Sequence, residues 1–189
     1  SDVYKRQLEY KGKELVLDRN KASKTTQLFQ LLMFHTEDGG ISKAAMIEAL
    51  YGRVEVENKN SSLNNTIFRL RKQLRDIGLP ESKYINIQSG MCCWDENIKV
   101  WVDVCEFKRL VEQVRTEKRE GDRLQLWLKI WKIYKGEFLP DMIGENWAAV
   151  ENVQCRDDYF QVTTQLCQWL KNNERYEDCL LYTSDAADD

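Results

Sequence analysis

The sequence predicts a mixed fold: an α+β winged helix-turn-helix unit followed by an all-α helical unit. Three observations lead there. A basic amphipathic segment, Ser61–Ile77, stops at Gly78 and Pro80. A β-type run, Tyr84–Trp94, follows at once and is broken by Ser89-Gly90. From Val102 onward, apolar residues recur at helical spacing in three successive segments.

Bulk properties narrow the function class. The chain has 189 residues, 42% hydrophobic and 31% charged, which suits one large or two small domains with packed cores. No stretch reaches the ~18 uncharged apolar residues of a membrane span, and no basic-plus-apolar leader opens the chain. The six cysteines therefore read as reduced thiols of a cytoplasmic protein rather than a disulfide framework. The single histidine, His35, argues against a His-based zinc site or a hydrolytic triad. Net charge is −3, but residues 1–100 carry 16 Lys and Arg against 13 Asp and Glu, while residues 101–189 carry 12 against 18. That asymmetry suggests two units with different partners. Residues 1–7 and 181–189 lack periodicity and resemble translated adapter sequence; they are set aside, and the natural chain is expected to extend past both.

Leu8–Asp18 reads as a short hairpin, with Gly12 in the turn and Leu15-Val16-Leu17 as a strand. Ser23–His35 is helical, with Leu28, Leu31 and Leu32 on one face, and Gly39-Gly40 ends it. Ser42 can cap the next helix, whose inner face is Ala45, Met46, Ala49 and Leu50. Tyr51–Asn60 is a polar loop. Ser61 or Ser62 then opens a third helix in which Leu63, Ile67, Leu70, Leu74 and Ile77 form a buried stripe.

That third helix holds the chemistry. Between Asn58 and Arg75 there are five basic residues (Lys59, Arg69, Arg71, Lys72, Arg75) and no acidic one. Asn65 and Lys72 point away from the apolar stripe, and Arg71 lies on its flank. Asn and Arg can bond two base-edge atoms at once, and Lys and Arg neutralise phosphates. An isolated basic face is ordinarily a solvated surface. Here it ends a pair of helices and is followed by a strand, a turn and a return strand, which is the order of a winged helix-turn-helix DNA reader.

Residues 8–101 resemble the OmpR/PhoB-type winged helix of bacterial response regulators. Ser61-Ser62-Leu63-Asn64-Asn65-Thr66-Ile67-Phe68-Arg69-Leu70-Arg71-Lys72-Gln73-Leu74 carries the resemblance, supported by Ile41-Ser42, Leu50-Tyr51-Gly52, Tyr84-Ile85 and Gly90. The resemblance implies that this helix lies in the major groove of double-stranded DNA. Asn64, Asn65 and Thr66 would then face bases, Arg69 and Arg71 would hold phosphates or base edges, and Ser62, Lys72 and Arg75 complete the contact set. The loop Tyr51–Asn60 matches one that touches RNA polymerase in that family, which makes Glu55 and Glu57 candidates for the contact. Two positions depart from the pattern. Phe68 stands where a basic residue is common, and either meets a thymine methyl or extends the core. Cys92-Cys93 replace the wing's tyrosine and arginine, leaving Lys83 and Gln88 as substitute wing contacts; a thiol redox sensor is the other reading of that cysteine pair.

Residues 102–180 read as helices. Phe107, Leu110, Val111 and Val114 line the first; Asp122 after Gly121 is a candidate cap for the second, which is apolar on two sides. A long third helix from about Glu145 carries Cys155, Tyr159, Val162, Leu166 and Trp169, and Asn172-Asn173 ends it before another helix at Tyr176–Cys179. Paired antiparallel helices suggest a tetratricopeptide-like solenoid. Val102-Asp103-Val104, Phe107, the run Tyr134–Asp141, Trp147 and Tyr159 resemble the start of the bacterial transcriptional activator domain, which follows a winged helix in SARP-like activators. The resemblance implies a transcriptional activator, with a homodimer on direct DNA repeats and RNA polymerase as partners. No Gly-rich phosphate loop, activated serine or metal motif is present, so neither an enzyme nor a cofactor is expected. The competing reading is a helical protein–protein interaction scaffold without DNA binding.

Overall fold

In the computed structural model, residues 8–11, 13–15, 17, 23–138 and 146–175 are described. They belong to two units that divide between Val102 and Asp103.

The first unit opens with an antiparallel hairpin of β1 (Leu8–Tyr10) and β2 (Lys13–Leu15), pairing Leu8 with Leu15. The second strand stops at Leu15, short of the expected Leu17, which lies in a bend; Val16 and Asp18 fall outside the described residues. Helix α1 (Lys24–Phe34) starts where Ser23 places its hydroxyl 3.2 Å from the Thr26 N–H. That bond satisfies one of the orphan donors of the first turn. Helix α2 (Lys43–Tyr51) begins the same way, Ser42 Oγ accepting from the Ala45 N–H at 3.1 Å. Its buried residues are Met46, Leu50 and Tyr51, whereas Ala45, expected inside, is exposed. Helix α3 (Lys59–Asp76) starts earlier than Ser61: Asn58 caps it, its side-chain oxygen 2.9 Å from the Ser61 N–H. Asn and Ser are equivalent caps, so composition could not choose between them.

A three-stranded antiparallel sheet completes the unit in the order β3 (Ile41–Ser42), β5 (Met91–Trp94), β4 (Ile85–Gln88). Ser89 and Gly90 connect β4 to β5 with φ of 50° and 79°. Positive φ at both central residues is what a two-residue type I′ hairpin turn requires. Gly40 makes β3 possible, because a Cβ there would sit 2.6 Å from the Cys92 carbonyl oxygen. The core consists of Leu28, Leu31 and Leu32 from α1, Met46 and Leu50 from α2, Leu63, Ile67, Leu70 and Leu74 from α3, and Tyr84, Ile85 and Cys92 from the sheet region. Burying such side chains supplies the main stabilisation, about 1.5–3 kcal/mol each.

The base of the β4–β5 hairpin is fixed by a polar cluster. The buried Asp95 carboxylate accepts a short bond from the Ser82 hydroxyl, and bonds from the Asn97 backbone N–H (3.1 Å) and side-chain amide (2.9 Å). These bonds, Ser82's first, hold the Asp95 pKa below its ordinary value. Because the folded state lowers that pKa, the stabilisation is complete above the unfolded value of about 3.9 and disappears as pH falls through the folded one. In acid titrations followed by denaturant unfolding, the native protein is expected to lose stability more steeply below about pH 5 than its Asp95→Asn variant. Parallel curves would remove Asp95 from that role.

The second unit consists of α4 (Asp103–Thr116), α5 (Glu120–Ile133) and α6 (Asn146–Asn172). Phe107, Leu110, Val111 and Val114 are buried on α4 as expected. Asp122 does not cap α5. The cap position is Arg119, and Glu117 Oε1 accepts from the Lys118 and Arg119 N–H groups at 2.8 Å, holding the turn ahead of the helix. Two ion pairs join α4 to α6, Lys108–Glu151 at 2.7 Å and Arg115–Asp158 at 2.9 Å. Both partners advance by the same two turns, so these helices run parallel. Trp169 near the end of α6 donates to Glu120 at the start of α5 at 2.5 Å, so those two are antiparallel. Between them Phe107, Tyr134, Phe138 and Tyr159 form an aromatic cluster, with the Tyr134 and Tyr159 rings stacked 4.3 Å apart. Burial pushes the Tyr134 hydroxyl and the Cys155 thiol each up to about 12, so both stay neutral at physiological pH. The expected helix at Tyr176–Cys179 and the motif residues Leu139–Asp141 lie outside the described residues.

Candidate nucleic-acid interface

The face that α3 turns outward is built by subtraction. Leu63, Ile67, Leu70 and Leu74 are drawn into the core at spacings of four, three and four residues. At ~100° per residue, that leaves Asn64, Asn65, Phe68, Arg69, Lys72 and Arg75 exposed. From Asn58 to Arg75 there is no carboxylate, and α3 carries five basic residues against one acidic residue, Asp76 at its end. Arg75 in the last turn also suits the helix macrodipole. Ser62 is half-buried at the beginning of this face.

Two residues expected to face DNA are engaged elsewhere. Thr66 is only 4% exposed, and its hydroxyl lies 2.6 Å from that of Tyr51, at the end of α2. Tyr51 also donates to the Ser62 carbonyl at 3.3 Å. Thr66 is therefore a tie between α2 and α3 rather than a base-facing residue. Replacing Thr66 with Val should lower stability by about 1 kcal/mol through the lost bond, with duplex affinity per folded molecule nearly unchanged. A selective loss of affinity in Thr66→Val would return this side chain to the base-facing set.

Arg71 is the second. Its Nε donates to the Lys83 carbonyl at 2.9 Å and its Nη2 to the Ile85 carbonyl at 2.6 Å. The guanidinium thus straps α3 to the outer edge of β4, satisfying carbonyls that an edge strand leaves open. Arg71 borders a shallow cleft of about 330 Å³ that Lys83, Ile85, Asn86, Ile87 and Gln88 also line. Arg71 is a positioning residue that ties α3 to the residues around β4.

The wing is short and tied down. The Gly90 carbonyl accepts from the Lys43 N–H at 2.7 Å, joining the hairpin turn to the start of α2. Lys83 and Gln88 are exposed beside α3. Cys92 is buried, and burial followed by the neighbouring Cys93 raises its thiol pKa, which suppresses the thiolate a redox sensor requires. Cys93 is half-buried and donates to the Gly39 carbonyl at 3.1 Å. In the loop between α2 and α3, Glu55 and Glu57 are exposed around a cleft of about 570 Å³ that Arg53, Val54 and Lys59 also line. No described helix is long and apolar enough to cross a membrane.

The sequence signal for Arg71 was its place on the flank of the apolar stripe, but its carbonyl partners lie 12 and 14 residues away and no local pattern marks them. Lys59, inside the loop expected at Tyr51–Asn60, is the first residue of α3 because Asn58 is its cap.

No family model matches the chain, and no curated protein matches it in sequence. Among solved structures, the chain is similar to Mycobacterium tuberculosis EmbR in complex with a low affinity phosphopeptide. The TM-score is 0.65 at 14% identity, covering 89% of this chain and 44% of that one. The chain thus spans less than half the length of that neighbour, and at this identity the likeness is one of fold: a mixed architecture of small antiparallel sheets and helices that this chain shares with EmbR.

Proposed function

We propose that the protein is a sequence-specific, double-stranded DNA-binding transcriptional regulator of the SARP-like type, acting as an activator in the cytoplasm without catalysis. One observation carries the reading. The exposed face of α3 presents Asn64, Asn65, Arg69, Lys72 and Arg75 on a helix with no acidic residue from Asn58 to Arg75, and that helix packs against α1 and α2 and is tied by Arg71 to the Lys83 and Ile85 carbonyls. An α-helix fits the major groove, where Asn and Arg read base edges and Lys and Arg hold phosphates. In this reading Asn64, Asn65 and Arg69 face bases, Lys72, Arg75 and Lys83 hold the backbone, and Ser62 supports the start of the face. Glu55 and Glu57 form the contact with RNA polymerase.

The acidic second unit takes the role of a tetratricopeptide-like mediator of dimerisation on direct repeats or of contact with the transcription machinery. Val150, Val153 and Phe160 are exposed within one ~80° sector of α6, which supports a protein contact there. Selection from a random duplex library at two salt concentrations tests the reading. Enrichment of one motif, with weaker retention at the higher salt, is the expected outcome. Failure of any motif to enrich would contradict it.

A further inference from the structure

Phe68 is 65% exposed at the middle of α3. It does not extend the core: it lies ~100° from Ile67 and ~160° from Leu70, on the side turned away from the buried stripe. Its neighbours one turn away on that side are Asn64, Asn65 and Lys72, all exposed and polar. No other large apolar side chain of α3 is exposed, so Phe68 is not part of an apolar patch on its helix. No aromatic ring among the described residues pairs with it. The side chain is an isolated aromatic at the centre of a face otherwise made of hydrogen-bonding and cationic groups.

In the major groove, the one apolar group displayed by the four base pairs is the C5-methyl of thymine. Resting on the proposed DNA-binding role of α3, we infer that Phe68 is a specificity-determining residue that selects thymine by covering that methyl. A ring at this position removes the methyl from water while Asn64, Asn65 and Arg69 bond the polar edges around it. Loss of one methyl contact corresponds to about fourfold in affinity, or about 0.8 kcal/mol. The same ring offers nothing to the N4 amino group of cytosine, so cytosine at that base step is disfavoured.

Deoxyuridine isolates the contact, because it keeps every hydrogen bond of thymine and lacks only the methyl. In the duplex recovered from the library selection, each thymine is replaced in turn by deoxyuridine, and affinities are measured by fluorescence anisotropy for the native protein and Phe68→Ala. Phe68 is exposed and Ala favours helix, so the variant retains the fold, as circular dichroism will verify. The inference expects one or two positions at which deoxyuridine costs the native protein about fourfold and Phe68→Ala nothing. No effect at any position, an equal effect in both proteins, or a selected motif without thymine would overturn the Phe68 assignment while leaving α3 as a DNA reader. Absence of any selected motif would overturn both.

Discussion

Arg69→Ala is expected to weaken binding to the selected duplex by about 1–3 kcal/mol and to relax preference at one base position. The side chain is exposed on α3, and alanine is the best helix former, so the helix itself should be undisturbed. Lys72→Ala, one turn away, should instead weaken selected and random duplexes alike and reduce the salt slope by ~1, the behaviour of a phosphate contact. The two substitutions therefore separate reading from holding. Equal losses on all sequences for Arg69→Ala would move that residue to the backbone-holding set. Affinity measured on the selected duplex and on a scrambled one distinguishes these outcomes.

Leu70→Ala is expected to have the largest effect on stability, about 2–5 kcal/mol. Leu70 is fully buried on the face that α3 packs against α1 and α2. Truncation removes its burial energy and leaves a cavity that helices pinned by Tyr51, Thr66 and Arg71 cannot readily collapse. Against a typical total of about 5–15 kcal/mol, such a loss lowers the melting temperature by about 8–40 °C for a unit of this size. Denaturant unfolding of the full chain measures it, and a change under ~1 kcal/mol would mean that α3 is not seated through this stripe. Leu70→Ala and Arg69→Ala are neighbours in sequence yet should fail in opposite assays, one in folding and one in binding.

Local chemistry made much of this fold legible. Ser23 and Ser42 announce helix starts because a hydroxyl before an apolar-periodic segment satisfies an orphan N–H. Ser89-Gly90 announces the hairpin, and the stripe Leu63–Leu74 announces the buried face of α3. What stayed hidden depends on partners distant in sequence. Strand β3 is only Ile41–Ser42, and its pairing with Cys92 and Met91 is invisible without the sheet. Thr66 borders the stripe, and only the Tyr51 hydroxyl, 15 residues earlier, turns it inward. In the turn before α5, Glu117 rather than Asp122 holds the N–H groups, and nothing in the local pattern marks that role. A tetratricopeptide repeat spans about 34 residues. The two ion pairs relating α4 to α6 span 43 residues instead, because residues 134–145 separate α5 from α6. At the candidate interface, residue types and charge identified the face, while burial decided which members can reach a groove.

The salt dependence of binding to the selected duplex tests the central claim most directly. With three phosphates held by Lys72, Arg75 and Lys83, log affinity should fall against log salt with a slope of about −2.7, at ~0.9 per phosphate. In Lys72→Ala/Arg75→Ala the slope should flatten by about two. A slope near zero, or one that the double variant leaves unchanged, would mean that the outward face of α3 does not hold DNA.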